Sequence, residues 1–180
     1  MKKFFVRLLC AVPFLGMAGC ESSSSVNTTA VKNVDLKRYV GTWYEVARFD
    51  HRFERGLVGC TAEYSINPDG TIKVVNAGYK NSLKGKYKES VGKARRRAGG
   101  GPGELEVAFF MNFYGDYNVM ELADDYRYVM VGSKDEDYLW ILSRTPQLEP
   151  KDMEYLLSSA KKRGYNVENL IWVEQLDSEW

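Results

Sequence analysis

Short stretches in which apolar and polar residues alternate, separated by clusters of Gly, Asn, Asp and Pro, recur from residue 42 to residue 144. A period of two marks a strand with one buried face, and close, regular spacing of such strands predicts an antiparallel barrel or sandwich. The pattern places strands at 42–49, 60–66, 71–79, 85–95, 104–111, 117–122, 126–132 and 138–144. Asn67-Pro68-Asp69-Gly70 supplies a tight turn after the second. Beyond residue 148 the period changes. Glu149-Pro150-Lys151 opens a helix whose Met153, Leu156, Leu157 and Ala160 share a face, Gly164 stops it, and Asn169 to Glu174 reads as a short last strand. The expected fold is all-β, an eight-stranded up-and-down antiparallel barrel with a C-terminal α-helix packed outside.

Strand direction adds a test of this arrangement. With Trp43 at the closed end, the connections at 67–70, 96–103 and 123–125 also fall there, as does the end of strand eight. Asp125-Tyr126 and Arg144 then meet Trp43, and Arg144 is placed to lie across the indole face. The connections at 50–59, 80–84, 112–116 and 133–137 surround the mouth. Period-two alternation puts Trp43, Glu45, Ala47 and Phe49 on one face of strand one, the interior if Trp43 faces in. Glu45 then needs a buried partner, a proton or a bulge. For strand eight, Leu139 with Ile141 and Tyr138 with Trp140 are both open as lining sets.

Gly41-Thr42-Trp43-Tyr44, Asp125-Tyr126 and Ser143-Arg144-Thr145-Pro146 resemble, in order and spacing, the three sequence signatures of the lipocalins. The run from Trp43 to Gly56 and Tyr138-Leu139-Trp140-Ile141 further resemble the bacterial outer-membrane branch, related to apolipoprotein D, over about residues 34–175. The resemblance implies a lipocalin calyx and structural roles for Gly41, Trp43, Tyr126 and Arg144. It also implies a fatty acid, lysophospholipid or similar small amphiphile as ligand, held for storage, transport or maintenance of envelope lipids. It leaves room for a homodimer.

The first nineteen residues read as a lipoprotein signal: basic Lys2, Lys3 and Arg7, an apolar Leu8–Leu15, and Met17-Ala18-Gly19 before Cys20. Cys20 is the expected lipidation site, and residues 20–33 a flexible polar tether ahead of a barrel domain at 34–175 and a tail at 176–180. The anchor places the protein on a membrane rather than through it. The resemblance favours the bacterial outer membrane, facing the periplasm, while Glu21 directly after Cys20 leaves the inner membrane open. Taking Lys2, Lys3 and Arg7 from 25 basic residues leaves 22 against 24 acidic, a formal charge of −2 that argues against nucleic acid as a partner. Loss of Cys10 with the signal, and acylation of Cys20, leave Cys60 without a disulfide partner in the chain.

An eight-stranded barrel can hold one small apolar ligand. The candidate binding residues are Ala47, Phe49, Arg52, Phe53, Arg55, Val107, Phe109, Tyr114, Tyr117 and Trp140, with Arg52 or Arg55 positioned for an anionic head group. About fifteen methylenes offer roughly 12 kcal/mol gross against at least about 4 kcal/mol of lost freedom, consistent with micromolar affinity or better. Arg95-Arg96-Arg97, by the direction count, belongs to a solvated loop at the closed end, on the side where the tether also emerges. No cofactor, catalytic residue or metal ligand is expected, since a single His51 excludes a multi-His site. The alternatives are a Cys60-dependent lipid-modifying or peroxide-reducing enzyme on the same fold, or a structural envelope protein with a filled barrel.

Overall fold

A computed structural model describes residues 26–176, so the signal, Cys20 and residues 177–180 lie outside the described residues. Eight strands follow one another with antiparallel pairing: β1 (Gly41–Phe49), β2 (Leu57–Ile66), β3 (Ile72–Lys80), β4 (Tyr87–Arg96), β5 (Glu104–Ala108), β6 (Gly115–Leu122), β7 (Tyr128–Gly132) and β8 (Leu139–Ser143). β1 pairs with both β8 and β2, so the sheet closes on itself. A short helix α1 (Leu36–Tyr39) caps the closed end, α2 (Pro150–Lys162) packs outside, and a 3-10 turn at Val167–Asn169 leads into β9 (Leu170–Trp172).

The seam between β1 and β2 is only half zipped by those two strands. They pair over Gly41–Tyr44, whereas Ala47–Phe49 pair with β9 instead. A bulge between Val58 and Thr61, containing Gly59 at a φ of 58°, turns the upper part of β2 away. The C-terminal segment fills the resulting slit. Gly59 N–H donates to the Glu174 carbonyl at 2.6 Å, and Gln175 Nε2 donates to the carbonyls of Glu45 and Cys60 at 2.7 and 2.9 Å.

Two hydrophobic clusters lie on opposite faces of the sheet. Inside the barrel, Trp43, Ala62, Tyr64, Ile72, Val74, Ala94, Leu105, Val119, Val129, Val131 and Leu142 pack together. Outside, Val46, Ala47, Phe49, Met120, Met130, Leu139 and Ile141 pack against Leu156, Ala160 and Tyr165. Polar contacts fix α2 over this second cluster at both ends. Asp152 takes two hydrogen bonds from the Arg127 guanidinium, at 2.7 and 2.8 Å, and Glu121 accepts from Tyr155, Ser159 and Arg163.

The first strand departs from strict alternation. Its register against β8 shifts between Glu45 and Ala47, so both Val46 and Ala47 face outward. Every residue above that point changes face: Arg48 turns inward, and Ala47 and Phe49, expected to line the cavity, pack outside with α2 and Tyr165. The bulge is the reason, since one extra residue inverts the period-two pattern beyond it. In strand eight, Trp140 and Leu142 belong with the inner cluster and Leu139 and Ile141 with the outer one, which resolves its lining set.

The start of the described chain differs from the expected tether. Val26 is buried in the outer cluster, Asn27 N–H donates to the Arg163 carbonyl at 2.7 Å, and Val31 N–H to the Val119 carbonyl at 2.8 Å. Residues 26–33 therefore run along the barrel wall. Polar composition conceals this, because the strap is held largely by backbone hydrogen bonds and by Val26 and Val34. Arg163 follows the end of α2, and Tyr165 packs edge-on against Phe49 at the top of β1, 5.9 Å between centroids. The described chain thus begins on the flank formed by α2 and β6 and reaches the run Arg95-Arg96-Arg97 only at Val34, whose carbonyl accepts from Arg96. Those arginines are held by Glu106, Pro102, Val34, Glu104, Asn118 and Asp116.

Candidate ligand-binding site

The floor is built from the closed-end residues. Trp43 is fully buried and donates from Nε1 to the Tyr39 carbonyl at 2.8 Å. The Arg144 guanidinium lies 3.8 Å from the centre of the indole and donates to the carbonyls of Arg38, Tyr39, Val40 and Thr42 at 2.8–3.0 Å. A side chain on Gly41, whose φ is +98°, would be strained and would sit 3.4 Å from Arg144 Nη1. Tyr126 accepts at its hydroxyl from Asp35 N–H at 2.8 Å and carries the Arg38 guanidinium on its ring. Above this plug, the Tyr117 hydroxyl bonds both Tyr39 and Tyr64, at 2.7 and 2.9 Å. Burial pushes all three phenol pKa values up, so the trio is a neutral, hydrogen-bonded floor.

One wall of the mouth half is polar and centred on Glu54, which the β1–β2 connection folds inward. Its Oε2 accepts from Trp140 Nε1 at 3.0 Å and lies 2.9 Å from His51 Nε2, while Asn76 Nδ2 stands 3.5 Å from Oε1. Arg48 bridges the strand and the loop, donating to Glu45 Oε1 at 2.7 Å and to the carbonyls of Glu54 and Leu57 at 2.8 and 3.3 Å. The His51 ring packs against Trp140, Tyr138 and Phe53, with centroids 5.1, 5.5 and 5.9 Å away.

The two carboxyl groups are pushed in opposite directions. Burial and the neighbouring Glu54 charge raise Glu45, despite its bond to Arg48. Burial works against Glu54 as well, but hydrogen bonds from His51 and Trp140, with the Arg48 charge, hold it below the usual carboxylate value. The ionised form is thus favoured at Glu54 and disfavoured at Glu45. Arg48 Nε, His51 Nδ1 and Asn76 Oδ1 are buried without a protein partner, leaving donor and acceptor capacity on this wall.

The facing wall is apolar and thin. Val107 and Tyr117 pack on the inner cluster, next to Ala94 of β4. Phe109 continues the inner face of β5 toward the mouth and is 40 % exposed. Its ring lies against Gly92, where any Cβ would meet Phe109 and the Ala108 carbonyl at 2.7–2.8 Å. Only glycine admits this close approach. An amphiphile entering from the mouth thus meets aromatic and aliphatic carbon on one side and hydrogen-bonding groups on the other.

Of the expected binding residues, Val107, Phe109, Tyr117 and Trp140 gather inside the barrel. Phe53 and Arg52 lie exposed at the rim, the guanidinium 4.8 Å from the phenyl centre. Arg55 is exposed and tied to Asp50 at 2.8 Å. Tyr114 is drawn to the outer surface, its ring 4.1 Å from the Arg95 guanidinium, and is not in the lining. Ala47 and Phe49 are outside, as described. Arg48, Glu54 and Asn76 were not anticipated as lining. Glu54 sits in a loop that reads as solvated, and the bulge that turns Arg48 inward leaves no mark in the alternation.

A family profile described as a lipocalin-like domain matches residues 34–175. The chain is 46 % identical over 162 residues to "Outer membrane lipoprotein Blc" of Escherichia coli K12, covering 90 % of this chain and 91 % of that protein. It is 43 % identical over 176 residues to the protein of the same name from Vibrio cholerae, covering 97 % and 99 %. Among solved structures, insecticyanin from the tobacco hornworm Manduca sexta superposes with a TM-score of 0.67 at 18 % identity, over 84 % of this chain and 86 % of that one.

Proposed function

The chain belongs to the lipocalin family, and on that premise we propose that it is a lipid-anchored protein of the bacterial outer membrane. In this reading its barrel holds one small amphiphile, a fatty acid or lysophospholipid, for storage, transport or maintenance of envelope lipids. The observation that carries the ligand class is the pairing of an apolar wall at Val107, Phe109 and Tyr117 with the hydrogen-bonding wall around Glu54 in one mouth-facing chamber. A chain-bearing molecule satisfies the first and its glycerol or carboxyl group can satisfy the second. The anchor rests on Cys20 and on the naming of the relatives as outer membrane lipoproteins. Among the described residues no helix is long and apolar enough to cross a membrane.

A Cys60-dependent enzyme gains no support. Cys60 is buried, and burial together with the nearby Glu45 pushes its thiol pKa up, away from the thiolate that nucleophilic chemistry requires. The reading is tested by native mass spectrometry of the gently purified protein, titrated with lysophospholipids and fatty acids. One adduct per chain or per dimer, displaced by a competing amphiphile, is the expected result. A chain that stays bare across the series would reject the amphiphile reading.

A further inference from the structure

The four most exposed large hydrophobic residues among those described all lie on the mouth rim: Met111 at 75 %, Phe113 at 74 %, Phe110 at 69 % and Phe53 at 66 %. Three of them belong to the β5–β6 connection, where Phe110 and Phe113 stack with centroids 6.3 Å apart. Residues 109–114 carry no charge at all. An apolar cluster of this kind standing in water calls for a covering surface.

Chain geometry identifies the cover. Val26 and Asn27 pack beside Arg163 and Tyr165, near the upper end of α2 and on the flank of the barrel that includes β6. Cys20 precedes Val26 by six residues, which span at most about 20 Å even when fully extended. An acyl anchor there keeps the bilayer within reach of the rim, and the apolar cluster selects the rim as the face presented to it. Charge agrees with this placement. The neighbouring β3–β4 hairpin bears Lys80, Lys84, Lys86 and Lys88 with no acidic residue in the stretch 80–88, and Arg52 stands on the next loop. The remaining mouth loop carries Asp135, Glu136 and Asp137, so the apolar and basic side of the rim is the one suited to an anionic surface.

We propose that the mouth docks on the bilayer that holds the anchor, with Phe53, Phe110, Met111 and Phe113 entering the headgroup–acyl boundary and the hairpin lysines meeting anionic headgroups. This goes beyond the amphiphile reading, resting only on its anchor at Cys20. It gives the barrel a fixed orientation, with its opening against lipid.

The test uses the full lipoprotein reconstituted into vesicles of phosphatidylcholine and phosphatidylglycerol. Cys60 is buried and Cys20 acylated, so Met111→Cys or, at the closed end, Ala98→Cys supplies one accessible thiol for a nitroxide label. The label at 111 should become several-fold more accessible to oxygen than to a water-soluble nickel chelate, and the label at 98 should remain open to nickel. Adding Phe110→Ser and Phe113→Ser should return the label at 111 to water while lysophospholipid adducts persist. Equal nickel access at 111 and 98, or protection at 98 instead, would overturn the proposal. A protein that binds lysophospholipid but keeps the 111 label in water loses the docking and retains the ligand. One that docks but stays bare loses the ligand reading alone.

Discussion

Removing the carboxylate at Glu54 should loosen the mouth half of the barrel, because three inward side chains converge on it while Arg48 holds the backbone carbonyl of the same residue. Glu54 is only 13 % exposed at its side chain and serves as acceptor for Trp140 Nε1, with His51 and Asn76 beside it and Arg48 on its carbonyl. Glu54→Ala leaves the indole N–H buried without a partner, at about 1–3 kcal/mol. It also strips the compensating charge from a buried cluster, for which losses of about 3–5 kcal/mol are typical. The two overlap, so the expected destabilisation is about 3–5 kcal/mol. At roughly 2–4 °C per kcal/mol for a chain of this size, Tm falls by roughly 6–20 °C. Glu54→Gln keeps an acceptor for Trp140 and removes the neighbouring charge that opposes ionisation of Glu45, so its cost should be about 1–2 kcal/mol. Urea unfolding followed by tryptophan fluorescence gives both values, with a lowered midpoint and an unchanged slope. A shift below about 1 kcal/mol for Glu54→Ala, or equal costs for the two variants, would refute the view of Glu54 as the shared acceptor.

Arg144→Ala should cost about 2–4 kcal/mol through the uncovered indole and the carbonyls it leaves behind, and Arg144→Lys should recover only part, since an ammonium cannot serve four carbonyls while lying flat on a ring; an unchanged urea midpoint for the alanine variant counts against this. Hydrogen bonds from Arg127 hold Asp152 below its ordinary pKa. The stability this pair confers is therefore present above the unfolded value near pH 4 and lost as pH falls through the folded one. Asp152→Asn should cost about 1 kcal/mol at pH 6, screened because Arg127 is half exposed, and the gap should close as pH falls through the lowered folded value; a gap independent of pH contradicts the pairing. Phe109→Ala should weaken lysophospholipid binding roughly five- to thirty-fold, about 1–2 kcal/mol of wall contact, read by calorimetric titration. Cys60→Ala should leave that affinity unchanged, and a loss with the fold intact would reopen a role for the thiol.

The closed end was legible from sequence because its residues are large and singular. A tryptophan behind Gly41, a tyrosine at a tight turn and an arginine ending the last long strand can meet at only one end once strand direction is counted. Val107, Phe109 and Tyr117 followed from alternation in strands without an interruption between them and the core. Ala47 and Phe49 did not, since the register shift at Val46 is a property of pairing with β8 and leaves Trp43-Tyr44-Glu45-Val46-Ala47 looking regular. Trp140 was ambiguous alone and is settled by facing Arg48 across the ladder. Glu54 and the strap at 26–33 were hidden by polarity: both look solvated, and both are held by partners distant in sequence.

The register shift at Val46 also makes part of β1 behave like a message with a reading frame. Ironing out the bulge with Val46 retained would send Arg48 toward the leucines of α2 and turn Ala47 and Phe49 into the chamber, whereas removing Val46 together with the bulge would leave each of them on its present face. The lining of the chamber is therefore set by the pairing of β1 with β8 as much as by residue type, and any redesign for a different ligand must match the residue count between Glu45 and Arg48 to that register before it chooses side chains.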